Sequence, residues 1–196
     1  MCGRFYIDDE MAEEINELVR DISRKQQAGI RTGDYRPSEP AAVLLRAGKR
    51  WQLAEMKWGF SGREGSGLLI NARSESVLEK PTFADSIRAR RCVIPVSGFY
   101  EWNSRREKYR CFRREHKAMY LAGCFKADQG EPRFVILTTA ANASMSPVHE
   151  RMPLILPEEA LISWLEVPPR LNGLLLTEPE YLECRTDYQQ LTLDLF

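Results

Sequence analysis

The stretch Cys92-Val93-Ile94-Pro95-Val96-Ser97-Gly98-Phe99-Tyr100-Glu101-Trp102-Asn103 opens the part of the chain that decides the fold. Its apolar and aromatic content predicts strand structure, interrupted at Pro95 and Gly98. Further strands are predicted after short turns, at Tyr109–Arg113, Met119–Phe125 and Phe134–Thr139. Successive strands joined by short turns predict an antiparallel meander.

The chain on either side of this region adds helices and a few more strands. Apolar residues at helical spacing predict a long amphipathic helix over Asp8–Gln27. Shorter elements are predicted as strands at Ala41–Arg46, Trp51–Trp58 and Leu68–Ile70, and as helices at Pro81–Arg90 and Glu158–Leu165. This mixture indicates the α+β class, and loops too short to act as linkers predict a single domain over residues 1–196.

The overall composition excludes several classes of protein. The chain has 196 residues, 43% of them hydrophobic, and its formal net charge is zero. It has enough apolar side chains for a core, but no overall charge that would attract nucleic acid or a membrane. No apolar run is long enough to span a bilayer and no secretory signal is visible, so we expect a cytoplasmic protein without a membrane partner.

The cysteines are odd in number and widely spaced, at Cys2, Cys92, Cys111, Cys124 and Cys184. No Cys-x-x-Cys pair exists and only two histidines are present. We therefore expect no metal, no cofactor and free thiols in a reducing cytoplasm. Cys92, Cys111 and Cys124 lie in apolar, strand-like runs and are predicted to be inert core residues.

Cys2 directly follows the initiator methionine, and because cysteine is small we expect Met1 to be removed. The new N-terminus would carry a thiol beside an α-amine, whose ordinary pKa is roughly 7.7–8.0. Such a 1,2-aminothiol can trap an aldehyde, because the amine forms a Schiff base and the thiol then closes a five-membered thiazolidine ring. The position alone is equally typical of an early, buried small residue.

Three other places in the chain could carry chemistry, and each also has an ordinary structural interpretation. Glu101 alternates with aromatic neighbours on a predicted strand; buried there it would suit proton transfer, whereas on the polar face it would be solvated. His149 lies in a loop between prolines. It could act as an acid or base near pH 7, or be an ordinary loop residue. Asn71 and Arg73 share one face at a strand end and could hold a sugar oxygen and a phosphate, or cap the strand.

Basic residues are concentrated in one region despite the zero net charge. Ten basic and only three acidic residues lie between Ser86 and Lys117, which predicts a surface that attracts phosphate. The aromatic residues interleaved with them are Tyr100, Trp102, Tyr109 and Phe112. This pattern is typical of proteins that stack the bases of single-stranded nucleic acid, although charged hairpin tips also serve simply as soluble edges.

Five segments occur in one order: Met1-Cys2-Gly3-Arg4-Phe5, Trp58-Gly59, Asn71-Ala72-Arg73-Ser74-Glu75, Arg91-Cys92-Val93-Ile94-Pro95 with Gly98-Phe99-Tyr100-Glu101-Trp102, and His149-Glu150-Arg151-Met152-Pro153. Together they closely resemble the SRAP family, named as SOS-response-associated peptidases, from Cys2 to about Leu165. The resemblance implies one α+β domain with a barrel-like antiparallel sheet flanked by a few helices. It also implies a DNA-damage protein that recognises abasic sites in single-stranded DNA and protects them by a covalent thiazolidine crosslink. We expect a monomer, associated with the nucleoid when it is bound to DNA.

The resemblance also assigns roles to individual residues. Cys2 corresponds to the crosslinking nucleophile and Asn71 to the asparagine beside it, while Glu101 and His149 correspond to the acid–base pair at the ring-opened sugar. The residues expected to line the DNA groove are Arg4, Arg73, Thr138 and Arg151. The Schiff-base chemistry is of the kind that lyases use. Some members are thought to remove their own N-terminal residues, in keeping with the family's older name as peptidases.

Two segments depart from the family pattern. The loop Tyr35-Arg36-Pro37-Ser38 is shorter than usual and lacks an asparagine, and no tryptophan follows Trp58-Gly59 closely. Base stacking against bent DNA is therefore expected to be weaker, or displaced to Phe60.

Two other functions remain compatible with the sequence. A cysteine peptidase or amidase would use Cys2 as its nucleophile and His149 as its base, and would hydrolyse substrates that contain no aldehyde. A non-covalent binder of single-stranded DNA would depend on the basic hairpin. It would bind abasic and intact DNA alike, with an affinity that falls as the salt concentration rises.

Overall fold

The computed structural model describes residues 2–18, 30–62, 67–114, 117–166 and 171–186. The strands in these ranges are β1 (Arg4–Ile7), β2 (Gly33–Tyr35), β3 (Pro40–Ala47), β4 (Arg50–Trp58), β5 (Phe60–Ser61), β6 (Leu68–Leu69), β7 (Asn71–Arg73), β8 (Arg91–Val96), β9 (Gly98–Trp102), β10 (Lys108–Phe112), β11 (Met119–Asp128), β12 (Glu131–Ala140), β13 (Arg151–Pro153), β14 (Ile155–Leu156) and β15 (Glu183–Thr186). The α-helices are α1 (Asp9–Leu18), α2 (Pro81–Ala89), α3 (Leu161–Leu165) and α4 (Leu171–Leu175), and 3-10 helices cover Ser74–Ser76 and Glu158–Ala160.

A closed ring of five strands forms the centre of the fold. β3 pairs with β4 and β8, β8 with β11, β11 with β12, and β12 returns to β4. All these pairs are antiparallel except β4–β12, which is parallel. Closure removes the open edges that a flat sheet would have. The predicted α+β class with a barrel-like sheet is therefore confirmed.

A second sheet, in the order β15-β10-β9-β1-β2, carries the N-terminal strand. β1 pairs antiparallel with β9 through Arg4 and Tyr100, so the chain before Arg4 continues alongside Glu101. Phe5 stacks on Tyr35 with ring centroids 4.9 Å apart and meets Trp58 of the barrel at 5.1 Å. These buried rings fix the N-terminal strand against the barrel.

The predicted meander is correct in part: β9 pairs with β10 and β11 with β12 as expected, but β11 pairs with β8 where β10 was expected. The chain turns at Ser97, so that β8 remains in the barrel beside β11 while β9 enters the second sheet. Pro95 lies inside β8 and does not interrupt it. At Gly98 a Cβ atom would overlap the side chain of Tyr6 on β1, so glycine allows the two strands to pair with that ring between them.

The three predicted helices are present in their described parts, the third as a 3-10 helix followed by α3, whereas α4 was not predicted. α1 begins at Asp9 and is described to Leu18, and the rest of the predicted helix to Gln27 lies outside the described residues. α2 begins at Pro81, with Ile87 buried and Phe83 half-buried. In the ranges given above, no helix is long and apolar enough to cross a bilayer.

The prediction that all cysteines are free thiols is wrong for two of them. Cys111 on β10 and Cys184 on β15 lie opposite each other and form a disulfide. Cys92 and Cys124 are buried free thiols, as expected. The pairing was not visible in the sequence because the two cysteines are 73 residues apart and β15 has no strong strand signal.

Cys184→Ala is expected to lower the free energy of unfolding by about 2–4 kcal/mol, because the disulfide closes a long loop in the unfolded chain. Denaturant unfolding with and without a reducing agent measures this effect. The reducing agent should shift the midpoint of the wild type and leave that of Cys184→Ala unchanged. An unshifted wild type would mean that the disulfide does not form in solution.

Candidate functional site

Four polar residues that are distant in sequence lie where the second sheet meets the barrel. Cys2 precedes β1, Asn71 begins β7, Glu101 lies on β9, and His149 lies in the loop between β12 and β13. β7 runs parallel to β12, with Asn71 opposite Ile136, so Asn71 is held on the barrel wall. The junction of the two sheets thus brings groups from two strands and one loop toward the N-terminus.

Asn71 fixes the backbone at residue 2. Its side-chain nitrogen donates a hydrogen bond of 2.9 Å to the carbonyl oxygen of Cys2. Its side-chain oxygen is buried and has no hydrogen-bond partner among the described residues. Cys2 itself is fully buried, and its thiol lies 3.8 Å from the carbonyl oxygen of Arg4. Asn71 can therefore accept one more hydrogen bond next to residue 2.

Glu101 and His149 form a pair whose orientation is fixed by the backbone. Glu101 is only 4% exposed, and its Oε1 lies 3.8 Å from Nε2 of His149. The main-chain N–H of Arg151 donates to Nδ1 of His149 at 2.9 Å. A neutral ring that accepts at Nδ1 carries its proton on Nε2, which faces Glu101. The pair is thus arranged for the transfer of a proton.

The state of the Cys2 thiol follows from its surroundings. Burial, and after it the negative charge of Glu101, raise the pKa of the Cys2 thiol far above its ordinary value. The thiol is therefore protonated at neutral pH in the chain that carries Met1. A protonated thiol is a poor nucleophile, since the thiolate is the reactive form.

Two of the residues predicted to line a DNA groove are accessible. Arg4 is partly exposed, 3.5 Å from Asp34, and its guanidinium lies over the ring of Tyr100 at 5.8 Å. Arg73 is exposed and makes no side-chain hydrogen bond or ion pair with any residue that the structure describes. Arg73 can therefore approach a phosphate without first breaking such a contact.

The other two predicted groove residues contact each other. Thr138 is fully buried, so its side chain has no surface to offer to DNA. Arg151 donates to the carbonyl oxygen of Thr138 at 2.7 Å and pairs with both carboxylate oxygens of Glu75, at 2.7 and 2.9 Å. The hydrogen bonds from Arg151 lower the pKa of Glu75. Glu75 was not singled out from the sequence, because nothing in its short motif shows a partner 76 residues away.

The predicted basic and aromatic surface is only partly present. Arg91 is buried, and it donates to main-chain carbonyls of Ile87, Arg88, Trp164 and Glu166. The Arg91 guanidinium therefore connects neighbouring segments of the protein and does not face a ligand, contrary to the prediction. Among the interleaved aromatics, Trp102 is 38% exposed whereas Phe112 is buried.

The expectation that base stacking is displaced to Phe60 is wrong. Phe60 is fully buried and packs against Phe83, with ring centroids 5.9 Å apart. The ammonium group of Lys126 lies 4.6 Å from the centroid of the Phe60 ring. A ring enclosed in this way has no free face on which a base could stack.

An open cavity of about 650 Å³ adjoins the histidine of the site. Its lining includes His149, Pro147 and Glu150 from the loop after β12, and Trp102 and Arg105 from the β9–β10 hairpin. The cavity is therefore reached from solvent beside an exposed aromatic ring. Within the described ranges, no group of three or more His, Cys, Asp or Glu side chains is placed to hold a metal ion.

These features define a barrel protein with a buried cysteine at residue 2, an asparagine bonded to its carbonyl oxygen, a glutamate beside it and a histidine that contacts this glutamate. The family model described as SOS response associated peptidase (SRAP) matches residues 1–186. The chain therefore belongs to the SRAP family, as its sequence motifs indicated.

Several curated relatives resemble the chain over most of its length. The abasic site processing protein YoaM of Bacillus subtilis is 31% identical, over 90% of this chain and 86% of the relative. YoqW of the same organism, also named an abasic site processing protein, is 29% identical over 93% of this chain and 85% of its own. YedK of Escherichia coli, with the same description, is 26% identical over 84% of this chain and 79% of the relative.

Solved structures share the fold. A protein from Bordetella bronchiseptica superposes with a TM-score of 0.76 at 21% identity, covering 94% of this chain and 99% of that protein. A phage-related protein from the same organism gives a TM-score of 0.75 at 23% identity, covering 96% and 95%. At these identities the likeness establishes the fold alone.

Proposed function

We propose that this protein recognises abasic sites in single-stranded DNA and links to them covalently through Cys2, after Met1 has been removed. In this role it acts as a monomer and shields the lesion as part of the response to DNA damage. Relatives in the family are named abasic site processing proteins. The observation that supports the chemistry is the contact of Asn71 with residue 2, together with the Glu101–His149 pair, whose glutamate lies near the Cys2 thiol.

The proposed reaction is a condensation without a cofactor. The sugar of an abasic site opens to an aldehyde, and the α-amine of Cys2 attacks its carbon to form a carbinolamine. Loss of one water molecule gives a Schiff base. The sulfur of Cys2 then adds to the imine carbon while a proton moves to the nitrogen, which closes the thiazolidine ring. Atoms balance with water as the only by-product, so no oxidant or reductant is required.

The environment of Cys2 supports an order in which the amine reacts first. In the chain that carries Met1 its thiol is held protonated by burial and by Glu101, whereas an unperturbed α-amine is partly uncharged near pH 7.5 to 8. The buried side-chain oxygen of Asn71 is a suitable acceptor for a hydrogen of that amine. Glu101 would hold the amine and move a proton to the sugar oxygen, and His149 would assist the loss of water.

DNA binding is proposed to rest on cations around this site. Arg4 and Arg73 are accessible for phosphate contacts, and Arg151 lies at the end of the loop that carries the histidine. The buried Thr138 would support Arg151 and not touch DNA. Phosphate contacts of this kind hold a nucleic acid in register without reading its sequence, which suits a lesion that has no base.

The cavity beside His149 offers room for the nucleotide next to the lesion. The cavity has a volume of about 650 Å³ and is open to solvent, and the exposed ring of Trp102 borders it. A base that stacks on an aromatic side chain gains about 1–3 kcal/mol, whatever its identity. A single strand can turn a base toward such a ring, whereas a duplex keeps its bases stacked inside.

The two alternative functions are less well supported. In a cysteine peptidase, the base takes the thiol proton and must lie within hydrogen-bond reach of the sulfur. Here the Cys2 thiol lies against the carbonyl oxygen of Arg4, while Nε2 of His149 faces Glu101. The raised pKa of the Cys2 thiol also opposes thiolate chemistry. A purely non-covalent binder would give no reason for the burial of Cys2 beside Asn71 and Glu101.

The proposal predicts a covalent adduct that requires an aldehyde. Protein whose intact mass shows that it starts at Cys2 is mixed with a single-stranded oligonucleotide that contains one abasic site, and the mixture is run on a denaturing gel. We expect a shifted band with this DNA. The matched controls are the undamaged oligonucleotide and the abasic oligonucleotide after borohydride reduction, which converts its aldehyde to an alcohol; neither should give a band.

Three results would contradict the proposal. One is the absence of a shifted band although Met1 is removed. Another is a crosslinked species whose mass shows that Met1 is retained, because an amide nitrogen cannot form a Schiff base. The third is efficient hydrolysis of peptides that contain no aldehyde, without any DNA adduct, which would favour the peptidase.

A further inference from the structure

The ion pair between Glu75 and Arg151 joins two parts of the site across a barrel strand. Glu75 lies in the 3-10 helix that follows β7, Arg151 begins β13, and both β7 and β13 pair with β12. The two side chains meet above Thr138, which lies opposite Arg73 in one pairing and opposite Pro153 in the other. The strand that carries Asn71 is thereby tied to the segment that carries His149.

Most of the N–H donors of the Arg151 guanidinium bind groups inside the protein. Its Nη1 and Nη2 bind the two carboxylate oxygens of Glu75, and Nη2 also binds the carbonyl oxygen of Thr138. Its side chain is only 12% exposed. The main-chain N–H of the same residue donates to Nδ1 of His149. A single residue thus connects Glu75 at one end to the histidine ring at the other.

This connection controls orientation more than stability. The Glu75 side chain is 40% exposed, and ion pairs with an exposed partner contribute little to the free energy of folding. Two parallel N–H···O bonds nevertheless fix the plane and position of a guanidinium. The pairing of Arg151 with Ala140 holds its backbone against β12, and the ion pair with Glu75 fixes its side chain, so that the backbone has little freedom to withdraw its N–H from His149.

We propose that Glu75 is a positioning residue for His149, acting through Arg151. It holds the main-chain N–H of Arg151 against Nδ1, so that the proton of the neutral ring stays on Nε2 and faces Glu101. The inference rests on the function proposed above, because the tautomer of His149 affects the rate only if this histidine moves protons during crosslinking.

Glu75→Gln keeps the shape of the side chain and removes its charge. We expect the crosslinking rate at saturating DNA to fall about ten-fold, a fraction of what a whole acid–base group contributes. The affinity for abasic DNA should change by less than about two-fold, and the unfolding midpoint should stay near that of the wild type. The matched control is Glu79→Gln, which removes an exposed carboxylate from the next turn of the chain and should alter neither rate nor affinity.

A measurement without DNA separates this inference from the proposed function. In ¹⁵N NMR spectra of the free protein, assigned with a His116→Ala variant, the wild type should show Nδ1 of His149 unprotonated and Nε2 protonated. Glu75→Gln should shift both signals toward a mixture of tautomers. If even the wild type forms no adduct, the proposed function fails, while altered tautomers in Glu75→Gln would still support the positioning role.

Two outcomes would overturn the inference. The first is an unchanged rate together with an unchanged tautomer in Glu75→Gln. The second is tighter DNA binding with a steeper salt dependence and an unchanged rate, since Glu75 would then occupy the place of a phosphate on Arg151.

Discussion

Cys2→Ala is expected to abolish the stable crosslink while leaving a Schiff base that borohydride can trap. Alanine is small, so Met1 should still be removed and the α-amine should still attack the aldehyde. Without sulfur no thiazolidine can form, and the imine hydrolyses when the sample is denatured. A denaturing gel should therefore show no shifted band for this variant, unless borohydride is added during the reaction.

The design of this experiment separates the amine from the thiol. Cys92→Ala, which removes another buried free thiol, is the matched control and should crosslink at the wild-type rate. DNA affinity of Cys2→Ala, measured by anisotropy, should stay within about two-fold of the wild type, because arginine contacts to phosphate dominate binding. A normal, stable adduct from Cys2→Ala would disprove the thiazolidine. If borohydride traps nothing, the first nucleophile is not the α-amine.

Local structure was predictable wherever the signal lies within a short stretch. The strands that became β3 and β4 were expected at Ala41–Arg46 and Trp51–Trp58, and Pro81 begins α2 as proline often does. The strand positions from Arg91 to Ala140 were also close. These elements depend on periodicity and turn residues, which any one segment displays by itself.

Pairing between strands that are distant in sequence was not predictable, whereas the pairs of successive strands β3–β4, β9–β10 and β11–β12 were expected and are present. Nothing near Ser97 shows that β8 and β9 belong to different sheets, or that β12 runs parallel to both β4 and β7. The disulfide to Cys184 escaped prediction for the same reason. The barrel itself was expected only from the family resemblance.

The same difference between local and long-range information applies to the candidate site. The sequence left open whether Glu101 is buried or solvated, and the structure shows that it is buried. By contrast, the burial of Thr138 and Arg91 and the pairing of Glu75 with Arg151 result from long-range packing. Residue type and motif could therefore indicate candidate residues for chemistry, but not which arginines remain available to a ligand.

Glu101→Gln and His149→Ala are each expected to slow crosslinking at saturating DNA by about 10²–10⁴-fold, the usual contribution of one positioned acid–base group. Neither should weaken DNA binding strongly, because neither supplies a main phosphate contact. Single-turnover gels with purified protein that starts at Cys2 give the rate, and anisotropy gives the affinity. Glu107→Gln, on the same hairpin as Glu101, is the control and should react normally.

The sign of the Glu101→Gln effect distinguishes two mechanisms. The charge of Glu101 helps to raise the pKa of the Cys2 thiol, so removal of that charge lowers this pKa and makes more thiolate available. A reaction limited by thiolate attack would therefore become faster in Glu101→Gln, whereas one limited by proton transfer at the amine and sugar becomes slower, as we expect. Because Glu101 and His149 lie 3.8 Å apart, the double variant should lose less than the product of the two single losses. Normal rates in both single variants would mean that the aminothiol reacts by its intrinsic chemistry alone, and the roles assigned to Glu101 and His149 would be wrong.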